Sequence, residues 1–167
     1  MKKIVAAMDV LNRGVLFLLS LWFGLVALLT LLQVIFRYIF NNPIVWSEEV
    51  IRYSMIWIVL LGTAIALRKG MLISVEIVIQ SVPKTLKKIM GILVIGVNVV
   101  YLSLLSYYGI KIIITLGAQT SGSLEIPISM TYSAIAAGSI LALLNCIVVF
   151  MELVQGKEEK NDGSTLL

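Results

Sequence analysis

Residues 33–68 read QVIFRYIFNNPIVWSEEVIRYSMIWIVLLGTAIALR. One apolar run ends here in Arg37, a short polar break follows, and a second apolar run begins behind Glu48, Glu49 and Arg52. Asn41, Asn42 and Pro43 favour a turn, and Trp46 suits the boundary between membrane and water. Ser47 is expected to cap a new helix, with Glu48 and Glu49 near the positive end of its macrodipole. Arg52 stands four residues after Glu48 and three after Glu49, so it shares a helix face with both. The uncharged part, Tyr53 to Leu67, is short for a membrane crossing. Starting the helix at Ser47 corrects the length and leaves the charged turn at the interface. The stretch therefore reads as two membrane helices joined by a charged hinge.

The rest of the chain agrees with a membrane setting. Its 167 residues are 60% hydrophobic and 13% charged, with mean hydropathy +1.04. A soluble domain carries roughly twice that share of charge. The formal charge of +4 does not mark a nucleic-acid partner, because the basic residues punctuate apolar runs and form no basic patch. Cys146 is the one cysteine, which excludes an internal disulfide. Without histidine the chain offers no imidazole metal site and no histidine acid–base chemistry. Neither a cofactor nor a metal is expected.

Four crossings follow from run lengths, since about 20 helical residues span a hydrocarbon core of about 30 Å. They fall at about 14–38, 47–67, 89–116 and 128–151, within a single domain of residues 1–155. Residues 71–83 are apolar but interrupted by Ser74, Glu76 and Gln80, too short to cross, and are expected to lie in the interface as a short helix. Gly, Ser and Pro mark 117–127 as a turn, and the polar tail 156–167 reads as disordered. The fold class is all-α membrane protein. The two termini and the 68–88 segment hold ten of the thirteen basic residues, and the other side only Arg37, Arg52 and Lys111. The positive-inside rule then puts both termini in the cytoplasm.

The spans offer little chemistry. No acid stands at a central position, and Asn98 and Asn145 are read as hydrogen-bonding between helices. Small residues repeat every four positions as Gly62 and Ala66, and as Ala134, Gly138 and Ala142, a spacing that lets helices approach closely. The hinge charges have two readings. Arg37, Trp46, Glu48, Glu49 and Arg52 are ordinary interface anchors, or they form a charge network that braces the first two helices and serves docking. Arg37 sits inside IFRYIF and needs an acidic partner, for which Glu48 and Glu49 are the candidates. On the network reading, Arg37→Glu disrupts assembly and a compensating Arg at 48 or 49 restores it.

The hinge resembles the small membrane subunit of TRAP transporters, the tripartite ATP-independent periplasmic solute importers. The resemblance rests on Gln33-Val34-Ile35-Phe36-Arg37-Tyr38, Trp46-Ser47-Glu48-Glu49-Val50-Ile51-Arg52, Trp57, Leu61-Gly62 and Arg68. A second block runs from Ser121 through Leu124, Ile126 and Pro127 to Tyr132 and Gly138. The chain departs from the family pattern at Leu72, where His is common, and at Gly122 and Ala136, where Pro is usual. The resemblance implies a non-catalytic subunit of the inner membrane. It implies as partners a large permease subunit, whose scaffold the small one extends, and a periplasmic substrate-binding protein that docks outside. Transport would be uptake of an organic anion driven by an ion gradient. Two other readings stand beside it. A small four-helix multidrug-type exporter needs an embedded acid in the first helix, which is lacking between Gly14 and Phe36. A membrane assembly or pore protein needs no fixed partner.

Overall fold

The computed structural model describes residues 2–68, 84–117 and 119–154. The expected interfacial helix at 71–83 and the tail at 156–167 lie outside the described residues. Four helices follow one another: α1 (Lys2–Tyr38), α2 (Val45–Arg68), α3 (Lys84–Leu116) and α4 (Ile128–Val154). All four contain a stretch long and apolar enough to cross a membrane. No strand accompanies them among the described residues, so the class is all-α.

Three helices start earlier than expected, α3 at Lys84 instead of near residue 89. α1 begins at Lys2 instead of near residue 14, because Asp9 and Arg13 end the apolar stretch without ending the helix. At 37 residues it is about 55 Å long, well beyond a hydrocarbon core of about 30 Å. α2 begins at Val45, two residues before the expected cap. Ser47 lies wholly buried, and its hydroxyl donates to the Ile44 carbonyl at 2.7 Å. It is the first-turn residue that fastens the helix to its entry loop, not the cap. The turn before it uses Asn41 at φ 48°, a left-handed conformation that Asn tolerates better than most side chains.

α4 is the central helix, packed between α2 and α3, while α1 lies along α2. Two glycines set the closest approaches. A Cβ on Gly138 would stand 2.8 Å from the Leu60 Cβ and 3.2 Å from its carbonyl carbon, so only glycine lets α4 reach the α2 backbone. A Cβ on Gly109 would meet Ile135 at 3.0 Å, which does the same for α3 against α4. Ala64, Leu102, Ala142 and Cys146 form the buried cluster between these three helices. Ala134 is fully buried as well. Gly62 is different. It has open space where a Cβ would go, and Ala66 is half-buried, so this small-residue pair makes no close approach among the described residues.

α1 is attached more lightly. Its most buried positions are Asn12, Leu19 and Val26, each seven residues apart, with the half-buried Gln33 continuing the series. A seven-residue repeat keeps one stripe of a helix against its neighbour in a shallow left-handed crossing. Most other positions of α1 are exposed.

Candidate functional site

The hinge residues do not form one network. Glu48 accepts from Gln33 Nε2 at 3.1 Å and lies 3.7 Å from Arg37, joining the end of α1 to the start of α2. Both charged side chains of that pair are more than half exposed. Glu49 points elsewhere. Its carboxylate accepts the backbone N–H groups of Ser123 and Leu124, both at 3.1 Å, and so pins the α3–α4 loop onto α2. Adjacent acids in sequence thus serve different neighbours, because successive helix positions point about 100° apart. Arg52 is exposed and makes no ion pair within 4 Å among the described residues. Trp46 is also exposed, at the edge where an interfacial anchor belongs.

The pinned loop is ordered by its own backbone. Ser121 N donates to Ile126 O at 2.9 Å, and Ile128 N donates to Gln119 O at 2.8 Å. Glu125, at its tip, is exposed and holds φ 53°, an uncommon conformation for a residue with a side chain. Glu48, Glu49, Arg37 and the loop therefore make a single polar surface at this end of the bundle. It is built to be held in shape and to be reached from the water. It offers no nucleophile–base pair, and no cluster of acids that could hold a metal stands among the described residues.

A second polar centre lies at the opposite end, and the sequence reading missed it. Arg68, at the end of α2, donates from Nη1 and Nη2 to the two oxygens of Glu152 on α4, at 2.6 and 2.9 Å. The same guanidinium reaches Asp9 on α1 at 3.0 Å. Its side chain is only 13% exposed, so three helices meet on one nearly buried cation. Just inside this fork, Asn12 and Asn145 exchange hydrogen bonds at 2.6 and 3.1 Å, and Asn145 also donates to the Ala64 carbonyl at 2.8 Å. Asn145 thus joins helices as expected, whereas Asn98, among the described residues, bonds to Val94 of its own helix. Asp9 and Asn12, three apart on one face of α1, were the readable signal.

Comparison with known proteins gives these arrangements a setting. The chain is 31% identical over 80 residues to the C4-dicarboxylate TRAP transporter small permease protein DctQ of Vibrio cholerae, covering 48% of this chain and 34% of that one. It is 35% identical over 60 residues to a putative TRAP transporter small permease protein of Haemophilus influenzae, 36% of this chain and 37% of that one. Against the sialic acid TRAP transporter permease protein SiaT of Haemophilus influenzae it is 25% identical over 119 residues, 71% of this chain but 18% of the relative. The matched segments thus span little more than a third of the relatives' length at most. The family model for the DctQ component of tripartite ATP-independent periplasmic transporters, a permease component and no enzyme, matches residues 26–156. With four membrane-crossing helices and a match over that length, the chain is a multi-pass inner-membrane protein that belongs to the DctQ component family.

Proposed function

We propose that this small permease subunit is a scaffold that packs on a large membrane permease and helps dock a periplasmic substrate-binding protein. The observation that carries the reading is the family match over residues 26–156, which includes the hinge, three full spans and the α3–α4 loop. The geometry supports a scaffold. Ionisable groups gather at the two ends of the bundle, and a transport site of its own would call for such groups at mid-membrane. The cation count supports the orientation. Ten basic residues lie with the termini and the α2–α3 segment, so both termini face the cytoplasm and the hinge faces the periplasm.

On that orientation, Arg37, Trp46, Glu48, Glu49 and Arg52 with the pinned loop form the periplasmic face that meets the binding protein. The partner permease supplies the substrate site. Two relatives are named for a C4-dicarboxylate and for sialic acid, both carboxylated, which supports uptake of an organic anion, and the family's ATP-independence supports an ion gradient as the drive. The test is co-expression with a large TRAP permease and binding protein from the same genome. The small chain should co-purify with the permease, and uptake of the radiolabelled anion should vanish without it. Undiminished uptake in its absence would reject an obligatory scaffold. Arg37→Glu should lower uptake while leaving the chain folded, with partial recovery on adding Glu48→Arg.

A further inference from the structure

Four consecutive loop residues, Ser121 to Leu124, close round the Glu49 carboxylate. Its Oε1 accepts from the Ser123 N–H and its Oε2 from the Leu124 N–H, both at 3.1 Å, so each oxygen has its own donor. A Cβ on Gly122 would stand 3.9 Å from Oε1, which puts that residue against the acid as well. Ser121 is 7% exposed and turns its hydroxyl to the same carboxylate. Its Oγ is a buried oxygen with no hydrogen-bond partner among the described residues. The loop shapes this cradle without help from Glu49. Ser121 N donates to Ile126 O, Ile128 N donates to Gln119 O, and Thr120 pairs antiparallel with Pro127, so the segment is closed on itself. Arg52, one turn along α2, adds a nearby positive charge that makes no ion pair within 4 Å among the described residues.

We infer that Ser121–Leu124 is a carboxylate-binding site, that Glu49 is its resident ligand, and that the Ser121 hydroxyl is its third donor. The class of ligand follows from the donors. Two backbone N–H groups on two different oxygens suit a planar anion with paired oxygens, and not a spherical one. An ionised carboxylate has about four lone-pair sites, and the N–H groups fill two, which leaves room for a hydroxyl. A buried hydroxyl without a partner is costly, and its hydrogen turns to whatever acceptor stands beside it. Because the loop's own bonds do not involve Glu49, removing that side chain should leave the site empty and intact. What the site does for the chain is hold a strained tip. Glu125 keeps φ 53° because the residues before it are seated on Glu49 and Ile126 after it is bonded back to Ser121. The inference concerns how the loop holds an anion and does not depend on which protein docks there.

The test is hydrogen exchange at single backbone amides, read by NMR on the full isotope-labelled chain in detergent micelles. Glu49→Ala should quicken exchange at Ser123 and Leu124 by about tenfold or more, the size of a lost charge-assisted hydrogen bond. Ser121 and Ile128, whose amides are bonded within the loop, should keep their rates. Sodium formate should then restore protection at Ser123 and Leu124, and sodium chloride at the same concentration should not. Adding Ser121→Ala should raise the formate needed for half protection by about threefold or more, as the loss of one hydroxyl donor requires. Quickened exchange at Ser121 and Ile128 in Glu49→Ala would show that the cradle does not exist without Glu49, and would overturn the site. Chloride protecting as well as formate would overturn it too, as would formate protecting neither amide. The same formate requirement with and without the Ser121 hydroxyl would overturn the third donor.

Discussion

The two polar ends of the bundle invert what the sequence draws attention to. At the hinge, five notable residues stand within 16 positions, yet their one ion pair is 3.7 Å long and more than half exposed. At the other end, Asp9, Arg68 and Glu152 are scattered across the chain, yet they meet at 2.6 to 3.1 Å around a cation that is 13% exposed. A charge pair gains strength as water is excluded and as geometry becomes bidentate. The scattered set has both properties and the clustered set has neither. Closeness in sequence marked the surface available to partners, and distance in sequence marked the joint that holds the helices.

Breaking the buried joint should have the largest effect. Arg68→Gln leaves Glu152 and Asp9 facing one another without a cation, at a cost of about 2–3 kcal/mol in the isolated chain, the half-exposed Asp9 tempering it. Unfolding by titrated denaturing detergent, followed by circular dichroism, measures it. A loss no greater than that of Arg37→Glu would erase the contrast. The next largest should come from Asn145→Leu, which strands Asn12 and the Ala64 carbonyl and should cost about 1–2 kcal/mol. Adding Asn12→Leu should recover part of that, because two apolar groups leave less unsatisfied than one. A double-mutant cycle showing no coupling would mean that the pair is not made. The smallest effect belongs to the hinge. Arg37→Glu should change the stability of the isolated chain by about 0–1 kcal/mol, the usual range for an exposed pair. A larger loss there would bring the two ends level.

Run length and composition made the four helices legible, because a bilayer rewards long apolar segments whatever their neighbours. The Gly138 contact was legible too, since small residues at four-residue spacing marked the face that meets α2. Gly62 followed the same pattern without the contact, which shows that spacing alone does not say which face has a neighbour. The hinge was read either as interface anchors or as a network, because Arg37 needs an acid; Arg37 does stand 3.7 Å from Glu48, but the turn of the helix sends Glu49 to the loop. Asp9 and Glu152 went unread because each lies past the end of its apolar run, where a charge looks like a boundary marker. Their roles depend on which helix ends share a side, and that is set by the packing of α4.

The Arg68 fork also orders the making of the protein. Its stronger partner, Glu152, lies 84 residues downstream, which at about 5–20 residues per second is synthesised roughly 4 to 17 seconds later. During that interval Glu152 does not yet exist, and Asp9, made earlier, is the acid at hand for Arg68. One early and one late carboxylate let the nascent hairpin of α1 and α2 wait in the membrane with its charge answered. A chain halted before α4 has Asp9 for Arg68 but leaves Asn12 and Ser106 without their α4 partners, so the polar groups inside the bundle are answered only when the last helix arrives.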